Sequence, residues 1–264
     1  MKFISIIALK GGVGKTVTTI NLAANMARVG VRVLVIDADP QCNTTTFFGA
    51  DPDDGGTEEL LTGMADYYPE IVQETKHDNL DVIPASTGLI GLDANAILGR
   101  EKAKARALYN LRVALDEDDA YDVVLVDCPP GFTAASIAAI YASDLLIVPT
   151  QLDKLSLDGW RTLDEQISDL GRVIGHTPEM RCLITMRDRT ELARQMEPML
   201  RDRLGCAFGT AIRRSPKVPE ALLAGQPLYQ YSPTCAAARD YDALTLELAL
   251  EQKIRIGGGE DVKV

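Results

Sequence analysis

The sequence predicts an α/β protein in which helices cover both faces of one mostly parallel, twisted sheet, giving three layers. Short apolar runs typical of buried strands alternate with segments of helical spacing along most of the 264 residues. A glycine-rich turn joins the first run to the first helix, and aspartates close two later runs. Strands that alternate with helices indicate a parallel sheet, and we expect one domain over residues 1–264.

The elements can be assigned in chain order from these patterns. Apolar runs predict six strands, at residues 3–7, 31–41, 80–84, 121–127, 145–149 and 181–185. Helical signals begin after residue 14 and recur at 57–61, 91–117, 134–142, 155–170, 191–204 and 236–250. The acidic, glycine-containing stretch 51–79 is expected to be a surface excursion. The basic residues of the long 91–117 helix are expected to form a solvated face: Arg100, Lys102, Lys104 and Arg106.

Charge and cysteine content indicate what the protein can bind and in which compartment it acts. The net charge of −11 opposes non-specific binding to DNA or anionic lipid if it is spread evenly, but residues 187–217 carry eight basic and four acidic side chains. This segment is therefore a candidate contact face. The five scattered cysteines lack Cys-x-x-Cys spacing, and neither a secretory leader nor a membrane-spanning run is evident. A reducing cytoplasm fits these features best.

The turn after the first strand is a candidate phosphate-binding loop. It reads Leu9-Lys10-Gly11-Gly12-Val13-Gly14-Lys15-Thr16 and opens a helix, so backbone N–H groups would face a bound anion. In such loops the lysine before the final threonine, here Lys15, holds the β- and γ-phosphates, and Thr16 binds a magnesium ion. Leu9 stands where the usual pattern has a glycine, and Lys10 adds a second lysine.

Three aspartates are candidate catalytic and metal-side groups. Asp37 and Asp39 lie at the carboxyl end of the second strand, and Asp127 ends the strand at 121–127. Ligands of open parallel sheets sit at that edge. Phosphoryl transfer needs a carboxylate that organises the water shell of Mg²⁺ and a group that orients the attacking water. We expect Thr16, Asp37 and Asp127 on the metal side.

Two of these motifs resemble a known family. The string Lys-Gly-Gly-x-Gly-Lys-Thr and the later Asp-x-Asp-Pro-Gln are similar to the deviant phosphate loop and second motif of the ParA/MinD ATPases. The resemblance implies a P-loop NTPase of the SIMIBI type and of the small ParA form, without an N-terminal helix-turn-helix domain. It implies that Lys10 reaches the partner's nucleotide across a dimer and that Asp39 serves hydrolysis, so Lys10, Lys15 and Asp39 are the expected catalytic residues.

The resemblance also assigns nucleotide and DNA contacts. Residues 10–17, including Val17 where relatives commonly have threonine, are expected to bind nucleotide through the loop. The segment 212–221 resembles the stretch that covers adenine, so Ile212 and Arg213 are expected there, with Arg213 replacing the customary proline. The expected DNA contacts are Arg187, Arg189, Arg214 and Lys217, of which Arg189 and Lys217 occupy the positions that contact DNA in relatives.

The function implied by the resemblance is a partition or positioning ATPase. ATP and Mg²⁺ would drive a homodimer that binds nucleoid DNA without sequence preference, and a ParB-like or other adaptor would stimulate hydrolysis. A MinD-like membrane ATPase is the alternative, but residues 250–264 are short, contain three glycines and lack aromatic anchors. A non-hydrolysing switch is a third possibility, against which the three carboxylates argue. The cargo is not indicated by any residue.

Overall fold

Seven strands form the sheet that organises the protein. The computed structural model describes residues 1–65, 68–97, 105–153 and 156–256. The strands are β1 (Lys2–Ala8), β2 (Val33–Asp37), β3 (Gln73–Glu74), β4 (Leu80–Ile83), β5 (Val123–Pro130), β6 (Leu145–Thr150) and β7 (Glu179–Ile184). Their spatial order is β3-β4-β2-β5-β1-β6-β7, and every pairing is parallel except the antiparallel one between β3 and β4. The mostly parallel sheet is therefore confirmed.

Helices connect the strands. They are α1 (Lys15–Arg28), α2 (Asn43–Phe48), α3 (Thr57–Thr62), α4 (Leu89–Ile97), α5 (Ala107–Glu117), α6 (Ala134–Ala142), α7 (Ser156–Ile174), α8 (Glu191–Leu204), α9 (Lys217–Leu223), α10 (Leu228–Tyr231) and α11 (Ala236–Gln252). A short 3₁₀ helix spans Tyr68–Glu70. None of the described helices is both long and apolar enough to cross a membrane.

The two faces of the sheet are covered by different helices, as the predicted three-layer architecture requires. Along β1, Ile4 and Ile6 belong to the core cluster that α1 and α11 complete. Phe3 and Ile7 belong to the opposite cluster, which contains the buried side chains of α5 and α6. Successive side chains of a strand point to opposite faces, so an uninterrupted apolar run supplies both cores.

Two expectations about the connections were wrong. The segment 91–117 is not one helix, because α4 ends at Ile97, α5 begins at Ala107, and the residues just before α5 form a turn. Arg100, Lys102 and Lys104 lie outside the described residues. The stretch 51–79 is not only a surface excursion, since Leu61 and Ile71 are buried in the core beside β4. The helical spacing of the sequence indicated neither the break between α4 and α5 nor the burial of Leu61 and Ile71.

The outer edge of β7 is covered by the chain that follows α8. The Cys182 N–H donates to the carbonyl oxygen of Cys206 at 3.0 Å, and the Phe208 N–H donates to that of Cys182 at 2.9 Å. Further along, the Ile212 N–H donates to the carbonyl oxygen of Ile184 at 2.8 Å. An unpaired strand edge is thereby avoided, and residues from 212 onward are brought to the carboxyl end of the sheet.

Candidate nucleotide site

The predicted phosphate loop occupies residues 9–14, between β1 and α1. Gly12 and Gly14 have φ angles of +72° and +95°, a left-handed conformation that favours glycine. Gly14 precedes α1 and has no side chain to cap the N–H groups of its first turn, which leaves them for an anion. The loop is held from outside, because Thr185 Oγ1 donates to the Val13 carbonyl at 2.8 Å and Gln151 Nε2 donates to the Gly12 carbonyl at 3.0 Å.

Lys15 is the buried cation of this loop. Only 7% of the residue is exposed. In the described part of the chain, no side chain forms an ion pair with its ammonium group. Burying an ammonium group is costly unless an opposite charge accompanies it. The position of Lys15 in the first turn of α1, next to the glycine-rich loop, therefore suits an anionic ligand such as a phosphate.

Asp127 lies beside Lys15 and has one unsatisfied oxygen. Its Oδ2 accepts hydrogen bonds from Thr16 Oγ1 at 2.8 Å and Thr44 Oγ1 at 2.7 Å. Its buried Oδ1 has no hydrogen-bond partner among the residues that the structure describes. Buried carboxylate oxygens are normally hydrogen-bonded, so an unpaired one marks a place for an ion or water. A threonine hydroxyl and a half-satisfied carboxylate are oxygen donors of the kind that hydrated Mg²⁺ takes.

Asp37 stands next to Asp127 but is already hydrogen-bonded on both oxygens. The parallel register pairs the two residues across β2 and β5. Asp37 Oδ1 accepts the Asp39 N–H at 3.1 Å, and Oδ2 accepts the N–H and the hydroxyl of Thr45, both at 2.8 Å. Asp37, predicted to lie on the metal side, would therefore contact a metal ion through one of its bound water molecules.

The two buried carboxyls resist ionisation together. Burial raises the pKa of Asp37, and the neighbouring Asp127 raises it further. Burial also raises the pKa of Asp127, although the hydroxyls of Thr44 and Thr16 and the charge of Lys15 oppose the shift. A divalent cation at this edge would favour the ionised forms of both. No cluster of three or more metal-ligating side chains occurs among the described residues, so protein ligands alone would not complete such a site.

Asp39 lies at the same edge of the sheet, and its carboxylate accepts fewer hydrogen bonds than that of Asp37. It is 9% exposed, and its Oδ1 accepts the Gln41 N–H at 3.0 Å in a local turn. Its other oxygen has no hydrogen-bond partner among the described residues. Asp39 thus has an acceptor that can orient a water molecule, which is the function expected of it from the sequence.

The ammonium group of Lys10 is paired with a residue outside the phosphate loop. Its ammonium group lies 3.4 Å from both carboxylate oxygens of Asp153, which follows β6, and both side chains are nearly half exposed. An exposed ion pair of this length contributes little to stability. Lys10 can therefore exchange Asp153 for another anion at small cost.

An apolar cavity of about 390 Å³ opens beside the phosphate loop. Its lining includes Gly14, Val17, Met186, Ile212 and Tyr241. The volume and apolar lining suit a nucleobase, and the expected base residues 212 and 213 both border it. The Arg213 guanidinium itself is paired with Asp240, with Nη2 2.6 Å from Oδ1.

The predicted DNA contacts are brought together at the end of β7. The Arg187 N–H donates to the Ile212 carbonyl and the Arg214 N–H to the Arg187 carbonyl, both at 2.9 Å, which joins two distant parts of the chain. Arg187 is ion-paired with Glu197, and Lys217 with Glu220 at 2.7 Å.

The remaining two arginines of that group differ in their pairing. Arg189 and Arg214 are exposed, and neither forms an ion pair with any residue that the structure describes. These two guanidinium groups are therefore the ones available to a phosphodiester without breaking an existing pair.

Sequence reasoning missed several residues of the site. The hydroxyls of Thr44 and Thr45 hold the two aspartates, Thr185 holds the loop, Asp153 pairs with Lys10, and Asp240 pairs with Arg213. Only the position of Thr44 and Thr45, just after Asp-x-Asp-Pro-Gln, could have suggested them. Asp153 and Asp240 lie far from the motifs along the chain, and Thr185 was predicted only as the end of the strand at 181–185.

Comparisons with known proteins agree with this geometry. A protein-family profile described as an AAA domain matches residues 1–177. The chromosome-partitioning ATPase Soj of Thermus thermophilus is 36% identical over 246 residues, covering 90% of this chain and 92% of the relative. The chromosome partitioning protein ParA of Caulobacter vibrioides is 34% identical over 263 residues, covering 97% of this chain and 96% of the relative.

A solved structure supports the fold independently. The septum site-determining protein MinD of Pyrococcus horikoshii, complexed with Mg-ADP, superimposes with a TM-score of 0.78 at 23% identity. The match covers 96% of this chain and 98% of that protein. At this identity the likeness concerns the fold, which is the predicted P-loop NTPase architecture.

Replacing Asp127 with asparagine should stabilise the nucleotide-free protein. The change removes a buried charge while an amide oxygen can still accept from Thr16 and Thr44. At pH 8 we expect a melting temperature higher by about 3–6 °C, since 1 kcal/mol corresponds to about 2–4 °C in a protein of this size. The pKa of Asp127 is raised by folding, so the difference should shrink as acid protonates the wild-type carboxyl.

Thermal unfolding followed by circular dichroism at pH 8 and pH 4.5 measures this difference. Asp122→Asn is the matched control, because the Arg32 guanidinium holds the pKa of Asp122 below its usual value and its loss should lower stability at pH 8. An Asp127→Asn protein that melts below the wild type at pH 8 would contradict the account.

Proposed function

The chain belongs to the ParA/MinD family of P-loop ATPases, and on that premise we propose that its ATP-bound homodimer binds DNA without sequence preference and is released by hydrolysis. In this proposal the protein segregates or positions a cargo. A separate adaptor protein, ParB-like or of another kind, stimulates the ATPase. The protein acts in the cytoplasm on the nucleoid, and its cargo is set by the adaptor.

The position of Lys10 is the observation that carries the proposal. Within one chain Lys10 pairs with the exposed Asp153 and not with the group formed by Lys15, Thr16 and Asp127. A second lysine in a phosphate loop that does not serve its own loop is available to a nucleotide held by another copy. The relatives named for chromosome partitioning support the proposed segregation or positioning function.

The residues of one chain supply phosphate binding and metal contacts. Lys15 and the N–H groups of residues 11–17 hold the β- and γ-phosphates, which compensate the buried ammonium. Thr16 and Asp127, whose Oδ1 has no partner among the described residues, would hold the metal, and Asp37, paired with Asp127 across β2 and β5, would contact it through a water. When bound, Mg²⁺ would supply positive charge to the phosphate oxygens.

Asp39 and Lys10 complete the chemistry. Asp39 orients the attacking water with the oxygen that Gln41 does not use. Lys10 of the second copy adds positive charge at the phosphates, where it stabilises the transition state. Turnover is slow in isolation because the second copy must first be held in place, and the adaptor accelerates it.

The DNA face of the dimer is the surface formed by residues 187–189 and 213–217. Arg189 and Arg214, which form no ion pair with any described residue, contact phosphates, while Arg187 and Lys217 contribute after leaving their carboxylate partners. Because the loop after residue 212 borders both the base cavity and this face, nucleotide occupancy can affect DNA binding. The MinD-like alternative depends on a C-terminal segment whose last residues, 257–264, lie outside the described residues.

Lys10→Ala should separate nucleotide binding from hydrolysis. A monomer holds ATP through Lys15, so the ATP dissociation constant should change by less than about threefold. Steady-state turnover should fall by about 100-fold or more, as for the loss of an oxyanion-stabilising donor. Isothermal titration and a phosphate-release assay measure the two quantities. Lys2→Ala, at the opposite end of β1, is the control, and equal loss of binding and turnover would place Lys10 in its own subunit's site.

Asp39→Ala should keep ATP binding and dimerisation but lose hydrolysis. Removing the group that orients water should lower turnover by about 100-fold or more. Single-turnover hydrolysis with protein in excess over ATP measures the chemical step directly. Asp54→Ala, on the acidic loop before α3, is the matched control. Unchanged turnover would remove Asp39 from the mechanism.

Arg189→Ala and Arg214→Ala should weaken ATP-dependent DNA binding in a salt-dependent way. Each lost phosphate contact should reduce the slope of log K against log salt by about 1. Lys217→Ala should have a smaller effect, because Glu220 already pairs with this lysine. Fluorescence anisotropy of random-sequence duplexes at four salt concentrations provides the slopes. Arg172→Ala, exposed on α7, is the control; wild-type slopes in all three variants would show that the face is elsewhere.

A further inference from the structure

Asp240 is a largely buried carboxylate that the proposed mechanism does not use. It lies in the first turns of α11, and both of its oxygens bind Arg213. Oδ2 accepts the Arg213 backbone N–H and its Nε, both at 2.9 Å, and Oδ1 accepts Nη2 at 2.6 Å. Arg213 Nη2 also donates to the Ala236 carbonyl at 3.2 Å. Such a bidentate pair is both strong and geometrically specific.

The pair fixes the loop that forms one wall of the base cavity. That loop runs from Ile212 to the start of α9, and both Ile212 and Arg213 line the cavity. On one side its backbone is bonded to Ile184 and Arg187 at the end of β7. On the other side, the Arg213 contacts with α11 are the hydrogen bonds that hold it.

The helix that holds the base-side loop, α11, is also connected to the phosphate loop. Tyr241, the neighbour of Asp240, is 2% exposed and lines the same cavity. Its hydroxyl lies 3.2 Å from the hydroxyl of Thr18 in α1, the helix that begins at the phosphate loop. The base-side loop on one wall of the cavity is thus connected to the phosphate loop on the other wall through the Asp240–Arg213 pair, α11 and α1.

We propose that Asp240 is a positioning residue for nucleotide binding, which acts through Arg213 to hold the base-side loop at the distance that a nucleobase requires. The proposal rests on the proposed function, because the cavity must receive the base of ATP. It concerns only the base: among the described residues, the hydrogen bonds and ion pair of Asp240 go to Arg213 and not to Lys15 or the phosphate loop, so we expect triphosphate binding to be unaffected by the pair.

The test compares ATP with inorganic tripolyphosphate, which lacks the base and ribose. Both dissociation constants are measured by isothermal titration with Mg²⁺ for the wild type, Asp240→Asn, Arg213→Gln and the double variant. For each variant we expect ATP affinity to fall about tenfold, the scale of a lost charge-assisted hydrogen bond, and tripolyphosphate affinity to stay within about twofold. Because the two residues act as a unit, the double variant should bind ATP no more weakly than either single variant.

Asp242→Asn is the matched control. Asp242 is two residues further along α11 and pairs with Arg28 at 2.9 Å, but it does not line the cavity. It should leave both ligands unaffected. Thermal unfolding of every variant is measured alongside the titrations. The Arg213 side chain is more exposed than that of Asp240, so Arg213→Gln provides the test if Asp240→Asn does not fold.

The outcomes separate this proposal from the proposed function. Unchanged ATP affinity, or equal losses for ATP and tripolyphosphate, overturns the positioning role of Asp240. A wild-type protein that binds neither ligand would instead contradict the proposed ATPase function. Loss of ATP affinity in Asp242→Asn would mean that α11 acts as a whole and not through the Asp240–Arg213 pair.

Discussion

The burial of two carboxylates and one lysine at the carboxyl edge of the sheet is the constraint on which the site depends. The parallel pairing of β2 with β5 fixes Asp37 beside Asp127, and the turn into α1 places Lys15 near them. Threonine hydroxyls bind two of the four carboxylate oxygens, the Asp39 N–H binds a third, and Asp127 Oδ1 has no hydrogen-bond partner among the described residues. The nucleotide-free protein therefore carries an electrostatic imbalance that a metal ion and a phosphate would relieve together.

The same edge of the sheet brings the base cavity and the arginine-bearing surface into one structural unit. The chain after α8 closes the open side of β7, and its continuation borders the cavity and carries Arg214, which is exposed and also lines the cavity. In the proposed function, this shared loop is the physical connection between nucleotide and DNA. Lys10 lies in the phosphate loop, and the ion pair that it forms in the described part of the chain, with Asp153, is exposed and weak.

The sequence predicted those parts of the structure that depend on local pattern. All six expected strands and the phosphate loop are present, because buried parallel strands are largely apolar runs and positive φ angles favour glycines such as Gly12 and Gly14. The pairings of Lys10 with Asp153 and of Arg213 with Asp240 could not be predicted, since they join positions that only tertiary packing brings together. The break between α4 and α5 was missed because helical spacing continues across it.

Sedimentation velocity of the wild-type protein tests the central claim, that the site is completed by a second copy of the chain. We expect a dimer with Mg²⁺ and a slowly hydrolysed ATP analogue and a monomer with Mg-ADP, with protein concentration held constant between the two runs. A protein that binds the analogue with full occupancy yet sediments as a monomer at every concentration would contradict it.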